Sequence, residues 1–178
     1  MWKESGLHFS FAPGWEVIRW DSHTYYQGLS SSGLKGVDFI AYQRKGAAFL
    51  MEVKNFRQVM PPPPATLADE FIRKGQDTLR GVDAIYAFLR RSPIRKNLIP
   101  FWRRIPPEWS ERAWWTQAGL AFSGPGLIPY LLWVEGEQVG PEWRANLQAH
   151  LPEKGSPFQF RIAGSTVNPL SHIVVQVE

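Results

Sequence analysis

The sequence predicts an α/β protein with a single mixed β-sheet flanked by helices. Two observations carry this. Runs rich in Val, Ile, Phe, Tyr and Trp at 15–20, 37–43, 47–54, 127–135, 158–163 and 172–177 alternate with helix-patterned segments at 66–91 and 141–151, the interleaving that packs helices on a sheet. The runs 37–43 and 47–54 are also apolar at nearly every position, as central strands covered on both faces are. At 178 residues and 44% hydrophobic content, the chain 1–178 has the size of one domain with a real core.

The opening segment, MWKESGLHFSFAPG, lacks the apolar centre of a signal peptide, and no uninterrupted apolar run approaches a membrane span. A cytoplasmic protein without a membrane partner is the expectation. There is no cysteine, which excludes disulfides and thiolate metal sites, so a metal must be held by oxygen or histidine. The net charge of +4 is too modest to imply a nucleic-acid partner by itself.

After the strand 15–20 comes a loop, 21–27, with two readings. In one, Asp21 starts a turn and Tyr25 and Tyr26 pack beneath it. In the other, Asp21 and His23 reach toward a metal site on the hairpin that follows, and the tyrosines stack on bases. Ser30, Ser31, Ser32 and Gly33 with Lys35 then form a flexible loop without the ordered spacing of a P-loop.

The runs 37–43 and 47–54 read as a hairpin. Arg44, Lys45 and Gly46 form a three-residue loop, with glycine at the position that favours a left-handed backbone. With Gln43 facing Ala47, counting back along both arms sets Asp38 opposite Glu52, and the period of two puts Lys54 on the same face. Val37, Phe39 and Ala41 line one face of the first arm, Ile40 and Tyr42 the other. Directly opposed Cβ atoms lie roughly 4.5–5.5 Å apart, so the two carboxylates repel unless a cation intervenes. Lys54 is one candidate cation and a divalent metal the other.

Asp38, followed after thirteen residues by Glu52-Val53-Lys54, resembles the active-site signature of the PD-(D/E)XK nuclease superfamily. The resemblance implies a restriction-endonuclease-like core from about 15 to 151. It further implies that Asp38 and Glu52 hold Mg2+ (or Mn2+) with the Val53 carbonyl, and that Lys54 positions or activates the attacking water. Oxygen ligands completed by water and phosphate suit magnesium, and the reaction would be phosphodiester hydrolysis. Val37 stands where the family name has proline. The family's acidic helix ahead of the hairpin is not evident in 9–28, where Pro13 and Gly14 precede strand-like Val17, Ile18 and Trp20.

Asn55, Phe56 and Arg57 lead out of the hairpin toward Pro61–64, a stiff spacer. Thr66 and Asp69 resemble a capping box for the helix that runs to Arg90 and Arg91 before Pro93. Gly75 and Gly81 are expected at close approaches, because each is unfavourable inside a helix by about 0.8–1.0 kcal/mol. Lys74, Asp77 and Thr78 share one edge of the helix, with Lys74 a phosphate contact supported by Asp77 or Thr78, or an intrahelical ion pair instead. An insertion at about 94–119 mixes Arg95, Lys96, Arg103, Arg104 and Arg112 with Trp102, Trp109, Trp114 and Trp115, and Pro100, Pro106 and Pro107 deny it one long helix. Arginine with tryptophan suits nucleic acid, a protein interface, or an insertion folded onto the core. Beyond it, the strand at 158–163 and that at 172–177 are expected as edge strands. His172 reads as the terminus of its strand, and His8, His23 and His150 share no metal spacing.

The sequence thus leads to a metal-dependent nuclease acting on nucleic acid, with DNA expected. Catalysis falls to Asp38, Glu52 and Lys54, and nucleic-acid contacts to Lys74, Thr78, Arg57, Arg103, Arg104, Trp114 and Trp115. One alternative is a catalytically silent domain of the same fold that binds nucleic acid or a protein; another is a structural subunit of a larger assembly. A homodimer or protein partner is compatible with either.

Overall fold

The computed structural model describes every residue but 32, 44–46, 92, 108–109, 153–154, 166–172 and 178, and the backbone alone of 29, 93–96 and 174–177. The loop 44–46 of the hairpin, the side chains of Arg95 and Lys96, and Ser32, Trp109 and His172 therefore lie outside what is described.

Two short strands, β1 (Trp2–Glu4) and β2 (Leu7–Phe11), form a hairpin that turns through Ser5 and Gly6, both at positive φ. β3 (Trp15–Arg19) is followed by α1 (Thr24–Ser30), then β4 (Phe39–Gln43) and β5 (Ala48–Asn55). Next come α2 (Pro64–Arg91), α3 (Pro93–Trp102), α4 (Glu111–Phe122), β6 (Ile128–Glu135), α5 (Pro141–His150), β7 (Phe158–Ala163) and β8 (Ile173–Val177).

A five-stranded mixed sheet has the order β3-β4-β5-β6-β7, antiparallel through β5 and parallel from β5 to β7. The expected hairpin register holds: Phe39 faces Met51, Tyr42 faces Ala48, and Gln43 N–H donates to the Ala47 carbonyl at 2.7 Å. The expectation of a single sheet does not hold. β8 leaves the large sheet and pairs with β2, making a second sheet of order β1-β2-β8.

This second sheet explains why the central strands are apolar on both faces. Ile40, Tyr42, Leu50, Leu132 and Val134 pack beneath the helices, while Phe39, Ala41, Phe49, Met51, Val53 and Trp133 pack against Leu7, Phe9 and Ile173 of the small sheet. Val37, expected on the face of Phe39 and Ala41, joins the helix-side core instead, because it precedes the start of β4 and its N–H is drawn to Thr78 on α2.

Two further expectations are corrected. The loop 21–27 is largely α1: its Tyr26 ring lies 5.5 Å from that of Trp20, and both close on Gly36, where a Cβ would come within 2.7 Å of Tyr26. Packing of this kind fixes a short helix that local propensity alone does not. Thr66 does not cap α2. The helix begins at Pro64, whose fixed φ suits a first turn, and Leu67 N–H reaches the Pro63 carbonyl. The Arg/Trp-rich insertion folds as α3 and α4, with α4 capped by the Ser110 side chain on Ala113 N–H. Gly75 meets its expectation of close packing, since a Cβ there would sit 2.8 Å from Tyr130 and 2.9 Å from Phe158.

Candidate active site

The hairpin register delivers Asp38 and Glu52 to the helix-side end of β4 and β5. Asp38 Oδ2 accepts the Val53 N–H at 2.7 Å, and its carbonyl accepts the Trp20 N–H at 2.8 Å, so backbone bonds on either side hold the residue. Glu52 is only 1% exposed. Its Oε1 receives Lys74 Nζ at 2.5 Å and Lys54 Nζ at 3.2 Å, while its Oε2 is buried with no partner among the described residues. Lys54 also reaches Glu70 Oε1 at 2.8 Å. Two lysines and two glutamates, from one strand and one helix, thus form a connected cluster beside Asp38.

Electrostatics follow from this crowding. Burial first, and the neighbouring Glu52 second, push the Asp38 carboxyl up to about 8, against the opposing pull of the Val53 N–H and Lys74. Burial likewise raises Glu52 despite its two lysines. Burial would lower Lys54, but its pairs with Glu52 and Glu70 outweigh that and raise it. Glu70 is more open, and although burial opposes it, Lys54, Lys74 and Lys35 together lower it.

A second acidic group adjoins the first. Carboxylate oxygens of Glu4, Asp21 and Asp38 lie within 4.8 Å of one another. Arg19 Nη2 holds Glu4 Oε2 at 2.6 Å and Asp21 Oδ2 at 3.4 Å, leaving Asp21 Oδ1 buried without a partner among the described residues. Buried carboxylate oxygens without donors are costly unless they meet a cation. The all-oxygen donor set of Glu4, Asp21 and Asp38 therefore fits a hard divalent ion such as Mg2+, while Glu52 stands outside that group and keeps a bare buried oxygen of its own.

The expected site residues divide. Asp38, Glu52, Lys54 and Lys74 come together, and Asp21 reaches Asp38. His23 does not join them: its Nε2 pairs with Glu111 at 3.3 Å, and burial lowers its pKa. Thr78 is fully buried and cannot contact phosphate; its Oγ1 accepts the Val37 N–H at 3.1 Å. Beside it, Asp77 accepts the Lys35 N–H at 3.1 Å. These two residues position the chain that enters Asp38.

Trp114 and Trp115 are also corrected. Both are buried, Trp114 against Tyr42 and Trp115 against Trp20 and His23, so neither ring is open to stack on a base. Their burial is the ordinary use of tryptophan in a core. Arg103 and Arg104 are exposed beyond α3. Arg57 lies 3.9 Å from Glu135 and lines a polar cavity of about 480 Å³ with Ser5, Gly6, Asn55 and Gln58.

Sequence reasoning missed Glu4 and Glu70. Glu70 carried a signal, its i,i+4 spacing to Lys74. Glu4 carried none, because only the stacking of the two sheets brings it near.

No family model, curated protein or solved structure matches this chain. Among the described residues no helix is long and apolar enough to cross a membrane.

Proposed function

We propose that the protein is a metal-dependent nuclease of the PD-(D/E)XK type, built on a restriction-endonuclease-like core. The observation that carries this reading is the state of Glu52. It is buried, one of its oxygens is held by two lysines and the other has no partner among the described residues, and it follows directly on the Phe39–Met51 pair of the hairpin, where its charge acts on Asp38. A surface ion pair needs no such burial.

Asp38, Glu52 and the Val53 carbonyl would hold Mg2+ or Mn2+, with Glu4 and Asp21 beside Asp38. The bound ion would neutralise phosphate charge and acidify a water. Lys54, tied between Glu52 and Glu70, would orient that water or stabilise the charge developing on the phosphate. Lys74 offers a second ammonium for a phosphate oxygen, and Asp77 and Thr78 keep the entry to Asp38 fixed behind it. DNA remains the expected substrate.

Cleavage of single- and double-stranded DNA and RNA should be measured with Mg2+ and with Mn2+, for the parent, Glu52→Gln and Lys54→Ala. The expected outcome is cleavage by the parent and at least a roughly 100-fold loss in both variants with their circular dichroism unchanged. A parent that cuts nothing, or variants that cut as well as it does, would reduce the cluster to a structural ion network.

A further inference from the structure

The flank of α2 that leads away from Lys74 carries a second pattern. Arg73, Asp77, Arg80, Ala84, Phe88 and Arg91 recur at steps of three and four and so form one stripe along the helix. Asp77 is buried and lies 2.9 Å from Arg80 and 3.8 Å from Arg73, which anchors both side chains at their base while each stays about two-thirds exposed. A guanidinium has five donors, so one contact to a carboxylate leaves others directed outward.

Farther along the stripe, α1 and α2 enclose an apolar groove of about 360 Å³, lined by Thr24, Tyr25, Gly28, Ala84, Ile85 and Phe88. Tyr25 is 37% and Phe88 49% exposed, so aromatic surface is presented to solvent at its rim. At 1.5 Å per residue, Ile85 lies about 16 Å along the helix from Lys74. That is a span of a few nucleotides.

We infer that this flank is a track for a single strand of nucleic acid, with phosphates on Arg73 and Arg80 and an unpaired base in the α1–α2 groove. The inference rests on the nuclease reading for the direction of the strand, which runs toward Lys74 and Glu52. Charge complementarity selects the ligand: cationic side chains track a backbone while aromatic groups receive bases. The groove admits a base only when it is out of its stack, which excludes an intact duplex.

The test is fluorescence anisotropy in EDTA with a fluorescein-labelled oligothymidylate of about twelve nucleotides and a duplex of the same length. Phe88→Ala should weaken single-strand binding roughly 5- to 100-fold and leave duplex binding unchanged, while Phe88→Tyr retains it. Arg80→Gln should reduce the slope of log affinity against log salt by about 0.7. Phe88→Ala binding like the parent, equal loss on duplex, or a parent that binds no oligothymidylate would each overturn the track. Glu52→Gln separates the two readings: it should bind the strand as the parent does and fail to cleave. If Glu52→Gln still cleaves while Phe88→Ala loses binding, the nuclease site falls and the track stands. If Phe88→Ala binds normally while Glu52→Gln loses cleavage, the reverse holds.

Discussion

With its carboxyl raised to about 8, Asp38 keeps in the folded state a proton that it releases near pH 4 in the unfolded chain. The folded state therefore binds more protons between these values, and without metal its stability falls as pH rises from about 4 to about 8. Asp38→Asn removes the titrating group. Its thermal midpoint in EDTA should exceed the parent's at pH 8, by roughly 2–4 °C for each kcal/mol gained, and the difference should shrink toward pH 4. A differential scan at the two pH values decides it. Asp38, Glu52 and Lys54 were legible in the sequence because a hairpin's period of two fixes faces without tertiary information. Glu4 was not, because it reaches Asp38 from another sheet. Trp114 and Trp115 show the same limit, since composition does not say whether an indole near arginines faces solvent or core.

Among the elements, α2 does most to place the site. Gly75→Ala would gain up to about 1 kcal/mol in helix propensity. Its methyl would meet Tyr130 and Phe158, and overpacking of that kind costs about 1–3 kcal/mol. The net expectation is a lower urea midpoint with an unchanged m-value. Thr78→Val keeps the shape but leaves the buried Val37 N–H without its acceptor, which should destabilise by about 1–3 kcal/mol. Because that N–H precedes Asp38, cleavage should fall along with the urea midpoint. β3 to β8 and α2 were readable from their apolar runs and periodicity, within two residues at their described ends, whereas β1 and β2 were not read as strands at all. α1 was not, because it is too short for periodicity and is set by Tyr26 closing on Trp20 and Gly36. The start of α2 was misplaced because Pro64 lies inside the first turn, where proline is tolerated, ahead of a Thr66 that imitates a cap.

Across the whole molecule, the α/β class and the two-sided burial of the central strands were evident from their apolar runs. What covers the second face was not, since a run buried under helices and one buried under a sheet read alike. The answer, pairing of β2 with β8, has a consequence in time. The β1–β2 hairpin is two-stranded until β8 arrives, and two strands alone are marginal in water. β3, β4 and β5 pair between near neighbours in sequence, whereas β2 must wait for β8, a strand far along the chain from it. Asp38 and Glu52 can therefore be aligned on a growing chain while Glu4, carried at the end of β1, has its pair with Arg19 but no completed sheet behind it. The group of Glu4, Asp21 and Asp38 is fixed last, and a nascent chain on the ribosome would carry the hairpin's carboxylates before β8 secures the sheet that bears Glu4.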